Sequence, residues 1–336
     1  MRFAFDEQQL QFRAQLRSFA EKECPPDAIR TAWEQAPGWS RDRWAHLAEL
    51  GVTAVTVPES HGGLGLGFVD LVLLLEEAGY SGLPEPLLDV LAVAVPLLAQ
   101  AEGTAAEGLL RDRVLRAVAE GGAVVGVVDP ASPSVVTAGA ELVLVPFGDE
   151  IRAVDVPDGA ARHRLVDGTW RAAAPSAPAG VVVAEGARAR QLLAAAADHG
   201  ALGAAAVLVG AATRMLVMAA DYARQRVQFG KPIGSFQAVK HHLAGALVRV
   251  EFAKPLVYRA AWSLDEGDPD AALHCAMAKA AASDAARRAA RAALQVHGAI
   301  GYTWEHDLHL WMKRAWVLAG AWGDAGHHRA TVLARA

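Results

Sequence analysis

The chain has 336 residues, 37 acidic against 32 basic side chains, a formal charge of −5 and 53% hydrophobic content, and its mean hydropathy is +0.19. That length allows one large domain or two to three smaller ones, and the apolar balance excludes an intrinsically disordered chain. The lack of a basic excess speaks against nucleic acid as a partner. Asp89, Pro96 and Arg214 interrupt the longest apolar runs before the roughly 18–20 residues a spanning helix needs, so no membrane span is expected. Cys24 and Cys275 are too few and too far apart for a disulfide framework or a metal site, and a reducing cytoplasm is the expected location. The start, Met1-Arg2-Phe3-Ala4-Phe5-Asp6-Glu7, lacks the basic-then-apolar pattern of a secretory leader.

Residues 6–23 place Leu10, Phe12, Leu16, Phe19 and Ala20 near helical spacing, and Pro25-Pro26 stops the pattern. A second amphipathic run, Arg41 to Leu50, ends at Gly51. Val52–Pro58 and the turn Gly62-Gly63-Leu64-Gly65 then lead into a helix near Phe68–Ala78. The glycine cluster is read as an interhelical turn, since no strand-and-helix unit frames it as a phosphate cradle. A further helical stretch spans about 86–119.

From Gly122 the grammar changes to short β-branched runs, Val124–Val128, Glu141–Val145, Ile151–Val156 and Gly180–Val183, separated by Pro, Gly, Asp and Ser. Helical pattern returns from Ala187, with long segments at 189–227, 236–265, 270–296 and 304–322. The expected class is mainly α with a small β domain. Its expected division is an N-terminal helical domain over 1–120, a reduced middle β domain over 121–186 and a C-terminal helical bundle over 187–336. Apolar residues on several faces, as at Ala204, Val207, Leu208 and Ala211, point to multi-sided burial and to oligomerisation.

Two segments carry chemistry. In Tyr222-Ala-Arg-Gln-Arg226-Val-Gln-Phe229-Gly230-Lys-Pro232-Ile233-Gly-Ser-Phe236-Gln237, a helix is expected to end at Gly230 and another to start at Ser235. That places Arg226 in a last turn, free to clamp an anion. In Gln295-Val-His-Gly298-Ala-Ile-Gly301-Tyr302-Thr-Trp-Glu305, glycines close one helix and let backbone amides approach a ligand.

Together with the α–β–α order, these segments resemble the acyl-CoA dehydrogenase family, whose patterns R-x-x-F-G-x-x-I-x-x-F/H-Q and Q-x-x-G-G-x-G-Y/F are matched over the C-terminal half. Glu7-Gln8, Arg17–Ala20, Leu50-Gly51, Val57–Glu59, Gly62–Gly65 and Glu76–Gly79 resemble family segments in family order. The resemblance implies the three-part family fold with a C-terminal four-helix bundle. It also implies FAD-dependent α,β-dehydrogenation of an acyl-CoA thioester, with electrons passed to an electron-transfer flavoprotein. Carried over, Arg226, Phe229, Phe236, Gln237, Gln295, Val296, His297 and Gly298 are the cofactor-binding residues, reaching a partner's FAD across the subunit interface. Ala299 stands where the family's second glycine is usual.

The departures are larger elsewhere. The family's catalytic carboxylate falls, by spacing, at Trp322, or in other members at Gly200-Ala201, and neither position holds one. Asp198 and Asp324 lie two residues away, but side-chain direction turns by about 200° over two helical residues. The segments that hold the flavin in the same chain, T-E-P-x-A-G-S-D and W-I-T-N, have no counterpart beyond a faint echo at Asp129-Pro130-Ala131-Ser132-Pro133. A chain with trans contacts but no base or cis site resembles the short subunit of actinobacterial heterotetrameric acyl-CoA dehydrogenases, including those acting on steroid side-chain CoA thioesters. A longer catalytic partner, assembled as α2β2, is then implied. No catalytic residue is expected in this chain. The alternatives are a homotetrameric enzyme with a displaced base, and a non-redox scaffold or thioester-binding protein.

The adjacent pairs His241-His242 and His327-His328 cannot both ligate one metal as i, i+4 histidines can, so no metal is expected. Arg287, Arg288 and Arg291 read as a solvated or interfacial face, and Trp304, Trp311, Trp316 and Trp322 as interface or core.

Overall fold

A computed structural model of the chain describes residues 4–101, 105–129, 132–156, 159–175 and 179–335. The N-terminal periodicity becomes four helices, α1 (Glu7–Glu23), α2 (Pro26–Glu34), α3 (Arg41–Glu49) and α4 (Phe68–Ser81). A capping box starts α1, with Asp6 accepting from Gln9 N at 2.8 Å and Gln9 accepting from Asp6 N at 3.0 Å. The first helix stops before Pro25-Pro26 as expected, and α2, which starts at Pro26, is an addition to the expected elements. Proline is tolerated in a first turn, where its missing N–H would have no partner, and α2 buries Ile29 and Trp33.

The stretch expected over 86–119 is three pieces. Leu88–Ala94 has the wider π-type hydrogen bonding, α5 spans Val95–Ala99 and α6 spans Ala105–Ala119, with Pro96 sitting in the first turn of α5.

Among the described residues seven short strands follow: β1 (Val125–Val127), β2 (Val135–Thr137), β3 (Leu142–Phe147), β4 (Glu150–Asp155), β5 (Arg162–Arg164), β6 (Trp170–Ala173) and β7 (Val181–Glu185). They form a four-stranded sheet in the order β1-β3-β4-β7, its first pair parallel, and a three-stranded sheet β2-β6-β5. Val136 and Ala172 of the small sheet share a core with Val143, Val145 and Val154 of the larger one. Strands β2, β5 and β6 were not expected. They are three or four residues long, and β5, Arg-His-Arg, is exposed throughout, so no alternation marks it.

The C-terminal region is α7 (Gly186–Gln225), α8 (Gln237–Asp265), α9 (Ala271–His297), α10 (Leu308–Gly320) and α11 (Ala325–Leu333). Helix α7 is central and packs on α4, α8, α9 and α10. Its most apolar 18-residue window reaches a mean hydropathy of 1.8 and is 78% buried within the fold, so the length and apolarity that would suit a membrane span are those of a core helix here. Glycines set the α4–α7 crossing. A Cβ on Gly79 would lie 2.1 Å from Val207 O and one on Gly210 only 1.8 Å from Glu76 O, so the backbones touch where a side chain cannot fit.

Buried charge ties the N-terminal helices to the bundle. Glu76 and Glu77 of α4 are 3% and 0% exposed. Arg13 pairs with both, Arg17 pairs with Glu77 at 2.6 Å, and Tyr258 of α8 donates to Glu76 at 2.6 Å. Asp265, the last residue of α8, caps α4 across the chain by accepting from Phe68 N at 2.7 Å and Val69 N at 2.8 Å. A Cβ on Gly67 would come within 2.5 Å of that carboxylate, so the glycine admits the cap. Asp265→Ala is expected to cost about 1–2 kcal/mol, the range of a lost helix cap, read as a lower urea midpoint at unchanged slope.

Candidate functional site

Helix α7 stops earlier than the sequence suggests. Arg226 caps it with an extended backbone, φ −72° and ψ 118°. Beyond it Val227-Gln228 pairs with Lys231-Pro232 in a tight hairpin. Phe229 and Gly230 at its tip have φ of 54° and 78°, the conformation of a type I′ turn, which overrides the helical reading of 226–230. The hairpin is closed by Ile233 N donating to Arg226 O at 2.8 Å.

The two motif segments meet. Arg226 and Val296-His297-Gly298 line one open cleft of about 690 Å³ together with Tyr222, Gln225, Gln228, Ile233, Ala299 and Ile300. Arg226 is exposed, and among the described residues no carboxylate pairs with it. Phe229, 90% exposed, meets Phe236 edge-on at 6.1 Å beside the cleft. Gln237 and Gln295 are exposed and are not among the lining residues. The structure therefore joins Arg226, Val296, His297 and Gly298, and leaves Phe229, Phe236, Gln237 and Gln295 at or beyond the rim.

The back wall holds residues that sequence reading passed over. Tyr222 stacks on His297 at 4.6 Å, and His306 meets His297 edge-on at 4.4 Å. Tyr222 stands four residues before Arg226, the spacing that shares a helix face, which was the available signal. His297 is 3% exposed, and its Nδ1 lies 2.7 Å from Ala293 O. A carbonyl partner requires N–H at Nδ1, which leaves a bare acceptor at Nε2, and that atom is buried without a partner. Burial holds the imidazole below its ordinary pKa, so it stays neutral.

Where the family's carboxylate is sought, an indole stands. Trp322, 6% exposed, packs against Gly200, whose Cβ would lie 2.2 Å from the ring. The two alternative base positions thus face each other, and a Trp322 ring fills the space between them. Trp322 has φ 55°, a left-handed conformation rare for a bulky residue, and its surroundings hold it there. Its N–H donates to Asp129 at 2.9 Å and its carbonyl accepts from His328 Nε2 at 2.8 Å. Asp129 belongs to the faint echo of the family's flavin segment. Pro130 and Ala131 of that echo lie outside the described residues.

The two nearby aspartates differ, and Asp324 lines one cavity with Trp322. Asp324 caps α11 by accepting from His327 N at 2.8 Å, and that bond holds its carboxyl below the usual range. Asp198 is half-buried, and desolvation pushes it up to about 6.

The turn is fastened from below by Lys279, fully buried on α9. Its ammonium donates to Gly323 O at 2.9 Å, Ala319 O at 3.2 Å and Ser283 Oγ at 3.4 Å. Burial draws its pKa down from 10.5 to about 8. Between pH 8 and 10.5 the unfolded chain therefore binds the proton more tightly than the folded one. The cost of the buried charge is full below pH 8 and is relieved as pH rises through that window, by up to roughly 3 kcal/mol. Lys279→Met is expected to flatten that rise, measured as urea midpoints from pH 7.5 to 10.5.

A helical N-terminal region, two small facing sheets and a long-helix bundle with an arginine-bearing cleft are the architecture of a flavin-dependent acyl-CoA dehydrogenase. The chain belongs to the acyl-CoA dehydrogenase family: the family's N-terminal domain matches residues 6–122 and its C-terminal domain residues 190–336. Members of this family are FAD-dependent oxidoreductases.

The chain is 33% identical to the acyl-CoA dehydrogenase IpdE2 of Mycolicibacterium smegmatis over 306 residues, 90% of each chain. It is 35% identical to the acyl-CoA dehydrogenase FadE34 of Mycobacterium tuberculosis, covering 90% of this chain but 43% of that protein. Its fold superposes on a variant of the Tcur3481-Tcur3483 steroid ACAD with a TM-score of 0.86 at 25% identity, covering 98% and 97% of the two chains. It superposes on the ChsE4-ChsE5 complex from Mycobacterium tuberculosis with a TM-score of 0.85 at 24% identity, covering 100% and 98%. The resemblance to the steroid-type actinobacterial subunits is thereby supported.

Proposed function

We propose that this chain is the base-less subunit of a heteromeric FAD-dependent acyl-CoA dehydrogenase and completes the flavin site of a longer catalytic partner. One observation carries the reading: the places open to a family carboxylate are occupied by Trp322 and Gly200 in mutual contact. The cleft that joins Arg226 to Val296, His297 and Gly298, in contrast, is suited to the diphosphate half of FAD. It presents a guanidinium without a carboxylate partner and Gly298 at φ 64° with open space over its α-carbon, both suited to an anion, while the buried acceptor at His297 Nε2 suits a cofactor hydroxyl and not a phosphate oxygen.

When bound, FAD would take the hydride that leaves the β-carbon of an acyl thioester. The residues of this chain bind and orient. Arg226 would pair with the pyrophosphate, the Gln295–Gly298 segment would offer backbone contact, and Phe229 and Phe236 would shield the cofactor. Trp322 withholds any proton acceptor, so the α-proton passes to a carboxylate of the partner.

The proposed substrate is a steroid side-chain CoA thioester, in keeping with the steroid ACAD named among the solved relatives. An α2β2 assembly in the cytoplasm, reoxidised by an electron-transfer flavoprotein, completes the proposal. It takes 1–120, 121–186 and 187–336 as the chain's three domains.

A second reading, a self-sufficient homotetramer, draws on Asp198 and its raised pKa of about 6. Purification separates the two. The single chain is expected colourless, and the chain co-expressed with its longer partner yellow at a one-to-one ratio. One FAD per protomer on the single chain would overturn the proposal.

A further inference from the structure

On a chain of net charge −5, a second concave site besides the Arg226 cleft gathers guanidiniums that make no ion pair among the described residues. Helices α9 and α10 enclose a cleft of about 480 Å³, within the usual range for small-molecule sites. Its walls are apolar, with Ala290, Ala315 and the half-exposed Trp316 among them, and it is lined at α9 by Arg287 and Arg291. Their i, i+4 spacing sets the two side chains on one helix face, where like charges repel. Among the described residues no carboxylate pairs with either. The nearest acid on α9, Asp284, is engaged by Arg329, and the Asp324 lining the same cleft is committed to the α11 cap.

We propose that this cleft binds an amphipathic carboxylate, an aliphatic or alicyclic acid whose anion lies between Arg287 and Arg291 while its apolar body covers Trp316 and the alanines. Two guanidinium forks suit a carboxylate's paired oxygens, and an anion between them removes the repulsion that the free protein carries. The apolar walls add burial that a bare inorganic anion cannot use. The site shares no residue with the Arg226 cleft, so it stands or falls apart from the flavin reading.

Titration calorimetry on the full chain, free and assembled with its partner, tests this with octanoate, octanol, acetate and inorganic phosphate. Octanoate is expected to bind at least tenfold more tightly than the other three. The variant R287Q/R291Q is expected to weaken octanoate at least tenfold and leave octanol unchanged, and R287K/R291K to recover part of the loss. Circular dichroism verifies that each variant is folded. Equal binding of acetate or phosphate, equal binding of octanol, or an undiminished R287Q/R291Q would each overturn the proposal. So would octanoate binding that disappears on assembly while R287Q/R291Q fails to assemble, which would make the cleft a seat for the partner polypeptide.

Discussion

Arg226→Ala is expected to weaken FAD retention in the assembled dehydrogenase by ten- to a hundredfold while the chain keeps its fold. The guanidinium is exposed on a cap residue and makes no ion pair among the described residues, so its removal leaves no buried partner stranded. What is lost is contact with the pyrophosphate, about 1.5–3 kcal/mol for each charge-assisted hydrogen bond, and each 1.4 kcal/mol is a factor of ten in affinity. Arg226→Lys keeps the charge but not the fork, and an intermediate loss is expected. Flavin fluorescence released on dilution of the complex measures both. Unchanged retention would reduce Arg226 to a helix end with a convenient charge.

The cleft was legible because its parts are local. Arg226, Phe229 and Pro232 lie within seven residues of one another, and Gln295 to Gly298 are consecutive, so motif spacing alone finds them. What the sequence hid is how the backbone turns between them. The residues 226–230 read as a helix end, yet Phe229 and Gly230 both adopt positive φ, and the hairpin they make turns Arg226 out of α7. Tertiary packing chose the turn over the helical propensity of the preceding run.

The same holds for the long helices and the short strands. Helices α7, α8 and α9 span 40, 29 and 27 residues, long enough for periodicity to dominate. Strands β2, β5 and β6 have three or four residues each, at most two full alternations. Contacts such as Asp265 on α4, or Tyr258 on Glu76, join residues 197 and 182 positions apart and leave no local signature.

Trp322 and Gly200 were likewise reached by counting, but only the fold shows that the two positions touch. Trp322→Ala is expected to destabilise the chain by about 3–5 kcal/mol, the range for emptying a large aromatic from a core. The ring is nearly fully buried on Gly200, and Asp129, His328 and Lys279 hold the turn that carries it, so the hole cannot collapse readily. Turnover of the folded complex is expected to stay near that of the parent, because the lost side chain accepts no proton.

The companion variants test the chemistry without the cavity. Asp198→Asn and Asp324→Asn in the assembled complex are expected to leave the rate within a few-fold, since Asp324 caps α11 and Asp198 stands two residues from the Gly200 contact. Loss of a working general base costs roughly 10²–10⁴ in rate. A fall of that size from Asp198→Asn, with flavin retained and the pH–rate profile losing a limb near 6, would locate the proton acceptor in this chain. The Trp322 ring would then be a wall of an active site instead of the filling of a lost one.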